Sequence, residues 1–579
     1  MTTKIDLISK HFNLPISFNS NKMELSQNII TDLELTNTNV NADSINSNDT
    51  QLESTSAPSM YDIILTPSTC FGKETMPMFS NYYTTDIDFL KDTQQLLKTY
   101  DISSSEYDFE EINTVWKEIK GETSFCEKYL YIDWEMGKFL NSHASFLQIM
   151  SMYNVTSPII SFCLPILILI IPFFIINMKG LTLNLTEYTE ILKTILSQHS
   201  LGKLFMNFTE VSLNEKIYLL FSAAIYVFSI YQNVLICLKF YRNVNTINTY
   251  LDKIKRYIDH SIKTFDYYLS VSENLTSYAE FNATVKKNKG VLEEYRNILD
   301  DKNTRTISWK SILNIGNMLK LFYAMYDNEI YNSAMVFSFG LHGYLDNIKG
   351  LINNISNKHI NYATFSNKTS FKKSFYPVLM NEESHVKNTC DFDKSMIITG
   401  PNASGKTTIL KSSLINVILS QQFGCGCYSS ASVSPYKFIH CYLNIPDTSG
   451  RDSLFQAEAR RCKTIIEIIN NNKEDTHFCA FDELYSGTNP DDAVSSSLAF
   501  MNYLLNYNNV TSILTTHYVK VCKKLSKNSN IKNYKMKIIE DSDGTFKYTY
   551  VLESGISRIK GGLKVLSDMN YPTEILNKI

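Results

Sequence analysis

A glycine-rich loop between an apolar run and a helical pattern is the segment of this sequence best suited to chemistry. Residues 396–398 (MII) predict a buried strand, and a helical pattern follows from Thr408 to Ser420. Glycine lets the backbone turn so that successive N–H groups face a phosphate, and the start of the helix adds a favourable dipole. Strand, loop and helix together are the context of a P-loop. The predicted nucleotide-binding residues are Gly400, Pro401, Asn402, Ala403, Ser404, Gly405, Lys406, Thr407 and Thr408.

Two side chains of this loop carry the predicted chemistry. Lys406 is expected to reach the β and γ phosphates of ATP, and Thr407 is expected to ligate Mg²⁺. A GxxxxGK[ST] string can arise by chance, but the strand before it and the helix after it favour nucleotide binding. We therefore predict ATP and Mg²⁺ as the ligands of this segment.

An acidic pair follows a second apolar run, residues 477–481. Asp482 and Glu483 would stand at the carboxyl end of a strand, where such sheets handle magnesium and water. Asp482 is predicted to hold the metal, and Glu483 is predicted to orient or polarise the attacking water. The alternative is an acidic pair on the surface.

A third apolar run, residues 510–514, ends in Thr515-Thr516-His517-Tyr518. After a third strand, His517 would lie near the γ-phosphate and could sense it. Taken alone, such a histidine is more often structural. Its order after the loop and the acidic pair favours a functional role.

The order and spacing of these motifs resemble one known family. The chain has Thr399-Gly400-Pro401-Asn402, then Asp482-Glu483 followed by Gly487-Thr488 and Asp491-Asp492, then Thr516-His517-Tyr518. This pattern is similar to the ATPase domain of the MutS family of DNA mismatch-repair proteins. The resemblance implies an ABC-type α/β P-loop ATPase domain at the C-terminus, preceded by a mainly α-helical core and lever region. It also implies an ATP-driven clamp that binds DNA and forms homo- or heterodimers through its ATPase domains.

Segments before the loop extend the resemblance. Residues 376–379 (YPVL) look like the family's strand ahead of the P-loop, and residues 362–365 look like the segment that leads into the ATPase domain. By this match Phe365 would stack on adenine, and a core phenylalanine is the alternative. Residues 534–540 and 545–552 predict a hairpin around residues 541–544.

The family's signature loop, which completes the partner's ATP site, is altered here. Residues 449–458 read SGRDSLFQAE, with one residue inserted relative to the family pattern. Either Ser449 or Ser453 could therefore address the γ-phosphate of the partner. No residues of the sequence support mismatch recognition itself.

The length and composition set the remaining organisation. At 579 residues the chain is too long for one core. Residues 1–83 are predicted to be a mostly disordered arm, since residues 36–59 contain no aromatic residue, lysine or arginine. Residues 84–359 are predicted to form the helical region, and residues 360–579 the ATPase domain. A net charge of −3 argues against a globally cationic nucleic-acid coat, while a local basic face stays open.

Two uncharged runs, residues 158–176 and 217–238, interrupt the helical region. Each is long enough to cross about 30 Å of hydrocarbon. They predict a membrane hairpin with the ATPase domain in the cytosol, favoured by Lys239 and Arg242 after the second run. The alternative is two buried helices of a large core in a cytoplasmic or nuclear protein.

A long amphipathic helix is predicted after the second run. Apolar residues recur at spacings of three and four from Ile247 to Leu269, with basic residues between them. These basic residues could form a solvated face or contact phosphates or anionic lipid headgroups.

Three functions follow from these observations. The first is a DNA-binding clamp in mismatch repair or recombination. The second is a membrane-anchored ATPase that acts on a protein or lipid partner without DNA. The third is an ATPase related to ABC transporters, which two membrane runs and the lack of an LSGGQ-type signature disfavour.

Overall fold

The computed structural model describes residues 6–37, 57–101, 107–121, 124–179, 185–198, 212–300, 314–382, 385–443, 445, 453–540, 546–559, 569 and 571–572. The chain divides into two compact units. The first comprises Met1–Phe109, Lys263–Lys289 and Val336–Ile579, and the second comprises Glu110–Ile262 and Gly290–Met335. The sequence predicts three consecutive domains, whereas each of these units is built from separate stretches of the chain. The chain passes from one unit to the other within long helices.

The N-terminal part of the first unit is folded. It contains helices α1 (Asp6–His11), α2 (Gln27–Asp32), α3 (Met60–Leu65), α4 (Cys70–Thr75) and α5 (Ile87–Thr99), and strands β1 (Lys22–Glu24) and β2 (Tyr82–Thr84). The prediction of a mostly disordered arm over residues 1–83 is therefore wrong for residues 6–37 and 57–83. Short apolar clusters there reach partners far along the chain: the Phe12 ring lies 5.4 Å from that of Phe337. Residues 38–56 lie outside the described residues.

The second unit is helical in its described residues, as the sequence predicts. Its helices are α6 (Phe109–Gly121), α7 (Phe125–Tyr129), α8 (Ala144–Met178), α9 (Leu185–Gln198) and α12 (Ile315–Asp327). Three longer helices belong to both units: α10 (Leu213–Ser272), α11 (Ala279–Asp300) and α13 (Glu329–Ser356). Short 3-10 helices form at Pro15–Phe18, Met76–Ser80, Glu135–Ser142, Thr276–Tyr278 and Pro377–Leu379.

The two uncharged runs lie on α8 and α10, which pair side by side. The Tyr226 hydroxyl donates to the Ser161 carbonyl at 2.7 Å, and Asn233 Nδ2 donates to Ser161 Oγ at 2.6 Å. Helix α10 is long and apolar enough to cross a membrane by length and composition. Many large apolar side chains of both runs are more than half exposed, which does not fit two buried core helices; they include Ile159, Phe162, Phe174, Ile217, Phe221, Val227 and Phe228.

The second half of α10 is the predicted amphipathic helix. Ile247, Ile254 and Ile258 are buried in the second unit. Basic residues of this helix form ion pairs: Lys253 Nζ and Arg256 Nη2 lie 3.4 and 3.6 Å from Glu111 Oε1, and Lys255 pairs with Asp300. These contacts favour the solvated, ion-paired face over phosphate contacts.

Two sheets form the C-terminal part of the first unit. Their strands are β3 (Asn361–Phe365), β4 (Ser370–Ser374), β5 (Asn388–Asp391), β6 (Ser395–Thr399), β7 (Cys425–Gly426), β8 (Ser430–Val433), β9 (Phe438–Tyr442), β10 (His477–Asp482), β11 (Val510–Thr516), β12 (Ile531–Glu540) and β13 (Phe546–Ser554). The six-stranded sheet has the order β13-β12-β6-β11-β10-β9, and the five-stranded sheet has the order β5-β4-β8-β3-β7. The helices of this part are α14 (Lys406–Phe423), α15 (Leu454–Asn471), α16 (Pro490–Leu504) and α17 (Val519–Leu525).

The local predictions for this part hold with one exception. Strands β12 and β13 form the predicted antiparallel hairpin, whose turn lies outside the described residues. Residues 377–379 form a 3-10 helix where the sequence predicts a strand. Pro377 has no N–H to donate to a ladder and its fixed φ suits the first position of a helix, which explains the difference.

Asp346 ties α13 to the segment before α4. Its carboxylate accepts hydrogen bonds from the backbone N–H groups of Ser68 (3.0 Å) and Thr69 (2.9 Å). It also accepts from the hydroxyl groups of Ser68 (2.6 Å) and Thr69 (2.8 Å). Asp346 is buried, so water cannot replace these bonds once the carboxylate is lost.

We expect Asp346→Ala to lower the free energy of unfolding by about 2 to 3 kcal/mol, because four donors lose their acceptor. Chemical denaturation of the full chain would measure the change. Asp252→Ala removes an exposed carboxylate from α10 and serves as the matched control. An equal, small effect of both substitutions would contradict the role of Asp346.

Candidate nucleotide site

Three neighbouring parallel strands bring the predicted site residues to one edge of the six-stranded sheet. Strand β11 pairs with β6, with Thr516 opposite Thr399, and it pairs with β10, with Thr515 opposite Asp482. Parallel strands present their carboxyl ends at the same edge of a sheet. The loop after β6, the acidic pair after β10 and the histidine after β11 therefore meet there.

The backbone of the loop has the conformation that its glycines allow. Gly405 precedes the first residue of α14 and has φ 93°, and Ala403 has φ 61°. A Cβ atom at Gly405 would lie 3.1 Å from Tyr550 Cδ1, so a side chain would meet both strain and a neighbour. Ser404 closes the loop by donating from Oγ to the Pro401 carbonyl at 2.7 Å.

Lys406 is buried inside the loop. Its Nζ donates to the carbonyls of Gly400 at 3.0 Å and Pro401 at 3.1 Å, and lies 3.6 Å from Glu483 Oε1. Burial lowers the pKa of the Lys406 amine, and the carboxylates of Glu483 and Asp482 oppose this shift. The partners of the Lys406 ammonium are thus two backbone carbonyls and a carboxylate at 3.6 Å, and a bound phosphate could replace them.

Thr407 and Asp482 form an oxygen-rich pair. Thr407 Oγ1 donates to Asp482 Oδ2 at 2.9 Å, and the Thr515 hydroxyl donates to Asp482 Oδ1. Hydroxyl and carboxylate oxygens suit Mg²⁺, which usually keeps several waters and takes further oxygens from phosphates. Among the described residues there is no group of three or more His, Cys, Asp or Glu that could hold a metal. The chemistry of this donor pair therefore fits magnesium bound together with a nucleotide.

Glu483 stands beside the loop in a constrained backbone conformation. Its φ is 48°, and its N–H donates to the Thr515 carbonyl at 3.0 Å. His517 Nδ1 lies 3.6 Å from Glu483 Oε1. The His517 ring lowers the pKa of the Glu483 carboxyl, burial opposes that shift, and Lys406 adds to the lowering. The carboxylate is thereby kept ionised, the form needed to accept a proton from water.

A cavity of about 850 Å³ opens in front of these residues. Its polar wall comprises Asn402, Ala403, Gly405, Lys406, Thr407, Thr408, Asp482 and Glu483. Gly400, Pro401 and Ser404 do not line the cavity and shape the loop behind it. His517 does not line the cavity itself, but it contacts Glu483, which does.

Aromatic side chains form a second part of the cavity lining, the aromatic wall. Phe375, Tyr376, His385 and Tyr550 line it, and the Phe375 and His385 rings lie 4.6 Å apart. Tyr550 has φ 56°, rare for an aromatic residue. Asn388 holds this position by donating to the Tyr550 carbonyl at 2.9 Å and accepting from the Leu552 N–H at 2.8 Å.

Phe365 does not line this cavity, and its stacking on adenine, which the resemblance implies, stays a prediction. It ends β3 in the five-stranded sheet, where β3 pairs with β8. The aromatic wall could not be predicted from the sequence because its residues are spread over three segments. Their only signal in the sequence is a cluster of aromatic and histidine residues shortly before the loop, at residues 375–385.

Ser453 begins α15 as its N-cap residue. Its Oγ accepts from Gln456 N at 3.3 Å, and its N–H donates to Gln456 Oε1 at 3.0 Å. Ser449 lies outside the described residues, so the choice between the two serines stays open. Ser453 does not line the cavity of its own chain.

Glu458, the last residue of the signature segment 449–458, lies on α15. It is buried and accepts from the N–H and Oγ of Ser486, both at 3.0 Å, and from Gly487 N at 3.1 Å. It therefore joins the helix that starts at Ser453 to the turn that follows Glu483. Movement of either segment must be shared by the other.

Comparison with known proteins matches the C-terminal third of the chain. The family model described as MutS domain V covers residues 396–579. This range contains the loop after β6, the acidic pair and His517.

Relatives match over 36% to 41% of the chain. The chain is 25% identical over 259 residues to the DNA mismatch repair protein MutS of Fusobacterium nucleatum, covering 41% of this chain and 28% of the relative. It is 27% identical over 227 residues to MutS protein homolog 4 of Mus musculus, covering 37% and 23%. It is 25% identical over 211 residues to endonuclease MutS2 of Staphylococcus aureus, covering 36% and 28%. The match thus spans less than a third of each relative, and it shows that the C-terminal domain of the chain is similar to domain V of MutS proteins.

Proposed function

We propose that the chain is a Mg²⁺-dependent ATPase that acts on DNA as a dimeric clamp. The observation that carries the ATPase assignment is the convergence of Lys406, Thr407, Asp482 and Glu483 on one cavity, with His517 behind Glu483. Similarity to proteins named for DNA mismatch repair supports the DNA assignment.

The proposed reaction is the hydrolysis of the terminal phosphate of ATP by water. The backbone N–H groups of the loop and the Lys406 ammonium bind the phosphates. Thr407 and Asp482 would hold Mg²⁺, which neutralises charge on the phosphates when bound. The Glu483 carboxylate orients the attacking water and accepts its proton, while His517 keeps that carboxylate ionised and in place.

The aromatic wall is the proposed site of the adenine base. Flat side chains in a cavity lining suit a planar ring, because aromatic pairs favour offset stacking. His385 and Phe375 come from the segment before β5, and Tyr550 comes from β13. The cavity thus offers both polar groups for the phosphates and aromatic groups for the base of one nucleotide.

Dimerisation is proposed as the step that couples ATP to movement. By the resemblance to the family's signature loop, the proposed target of Ser449 or Ser453 is the γ-phosphate in a partner. Ser453 does not line the cavity of its own chain. ATP bound between two subunits would favour a closed state that hydrolysis releases. The contacts of Glu458 would carry this change from α15 to the turn after Glu483.

A second function is favoured by a specific observation. The uncharged runs of α8 and α10 expose large apolar side chains, and the basic residues Lys253, Lys255 and Arg256 are occupied in ion pairs. These features support a membrane-anchored ATPase that acts on a protein or lipid partner without DNA. The ATPase site is the same in both functions.

We expect Glu483→Gln to lower the rate of ATP hydrolysis by about 100-fold or more, because the water loses its base. ATP affinity should stay within a few-fold of wild type, since the phosphate-binding groups remain. Steady-state phosphate release and equilibrium ATP binding would measure both effects. Glu474→Gln, an exposed glutamate near the other end of β10, is the matched control. Full activity of Glu483→Gln would exclude the proposed role.

We expect DNA binding that weakens steeply with salt and differs between the ATP and ADP states. Electrophoretic mobility shifts with homoduplex, mismatched and branched DNA would measure it, because phosphate contacts release counterions. The Glu483→Gln variant holds ATP without turnover and allows the ATP state to be compared directly. Absent or salt-insensitive binding in both states would reject the DNA assignment and favour the membrane-anchored function.

A further inference from the structure

A closed loop ahead of α8 exposes three large apolar side chains. Trp134 is 62% exposed, Met136 83% and Phe139 61%. They lie in or beside the 3-10 helix Glu135–Ser142 of the second unit. Isolated exposed apolar residues are ordinary, but three on one short segment indicate a contact surface.

The loop is held rigidly by a buried side chain. Asn141 Oδ1 accepts from the Ile132 N–H at 3.0 Å, and its Nδ2 donates to the Ile132 carbonyl at 2.8 Å. A Cβ atom on Gly137 would lie 2.7 Å from the Trp134 ring, so glycine lets that ring pack against the backbone. The exposed side chains are therefore presented on a fixed frame.

This surface continues into the uncharged helix. No charged residue occurs from Ala144 to Met178, the whole of α8. Ile149, Met152 and Tyr153 are exposed on its first turns, while Ala144 and Gln148 pack against Gly316 of α12. One side of this part of α8 is thus covered by protein and another is apolar and exposed.

Helix α8, which follows the loop, is longer than a bilayer is thick. Its 35 residues extend about 52 Å at 1.5 Å per residue. That length exceeds about 30 Å of hydrocarbon and about 40–45 Å with the headgroups. A helix with such an excess tilts or leaves one end at the interface. Cys237 of α10 contacts Val155 in the first half of α8. Lys239 and Arg242, which follow Cys237 on α10, therefore mark the polar boundary of the uncharged runs towards the start of α8.

We propose that the loop of Trp134, Met136 and Phe139 is a shallow membrane anchor that inserts into the headgroup boundary of a phospholipid bilayer. This inference rests on the proposed insertion of the α8 and α10 runs. Tryptophan favours this boundary because its ring is apolar while the indole N–H can stay in contact with water. Met136 and Phe139 add apolar area beside it. Asp133 and Glu135 flank the anchor, and Lys138 lies 3.9 Å from Asp133, so anionic lipid is not required.

Tryptophan fluorescence of the full chain in phosphatidylcholine vesicles tests the anchor. The chain has three tryptophans: Trp116 is buried, Trp134 is exposed, and Trp309 lies outside the described residues. In a Trp309→Phe background, lipid brominated near the top of the acyl chain should quench about half of the emission, as expected for an interfacial ring. Lipid brominated near the terminal methyl should quench less, and Trp134→Phe should abolish the effect.

Carbonate extraction of the same vesicles separates the two claims. Retention of the chain together with quenching of Trp134 supports both. Retention without quenching overturns the anchor and leaves the hairpin standing. Release of the chain overturns the hairpin and the anchor together. Emission shifted to the blue without quenching, in a chain that cross-links to itself, would assign the loop to a second copy and also overturn the anchor.

Discussion

The site depends on one carboxylate. Asp482 accepts from Thr407 at the start of α14 and from Thr515 on the neighbouring strand β11, so it joins three separate segments of the sheet edge. These bonds fix the start of α14, the helix after the P-loop, relative to Glu483, which directly follows Asp482 in the chain. If the parallel register of β10 and β11 changed by one residue, Asp482 would turn to the other face of the sheet and Thr407 would lose its partner.

Backbone strain gathers around this carboxylate. Ala403, Glu483 and Tyr550 all have positive φ, a region that costs non-glycine residues free energy, and all three line the same cavity. Neighbouring contacts maintain two of them: the Glu483 N–H donates to the Thr515 carbonyl, and Asn388 binds the backbone on both sides of Val551. The strain has a structural consequence, because it turns the Glu483 and Tyr550 side chains towards the space in front of the P-loop.

The chemistry of the site was accessible from the sequence because its groups occur in short motifs at strand ends. Lys406, Thr407, Asp482 and Glu483 each follow an apolar run, and strand order then places them together. The aromatic wall could not be predicted from the sequence. Tyr550 meets Phe375 and His385 only because the hairpin of β12 and β13 places it beside the P-loop. The N-terminal residues were mispredicted for a related reason: Phe12 and Tyr61 are buried by partners hundreds of residues away, such as Gln422 for Tyr61.

The central claim is that the cavity binds ATP through the P-loop, and equilibrium binding of ATP with Mg²⁺ tests it most directly. Lys406→Ala should weaken ATP affinity about 10-fold or more, because a charge-assisted bond to phosphate is lost. Lys473→Ala, at an exposed lysine away from the cavity, should bind ATP like wild type. Circular dichroism would show that both variants keep the fold. Unchanged affinity in a folded Lys406→Ala variant would contradict the account.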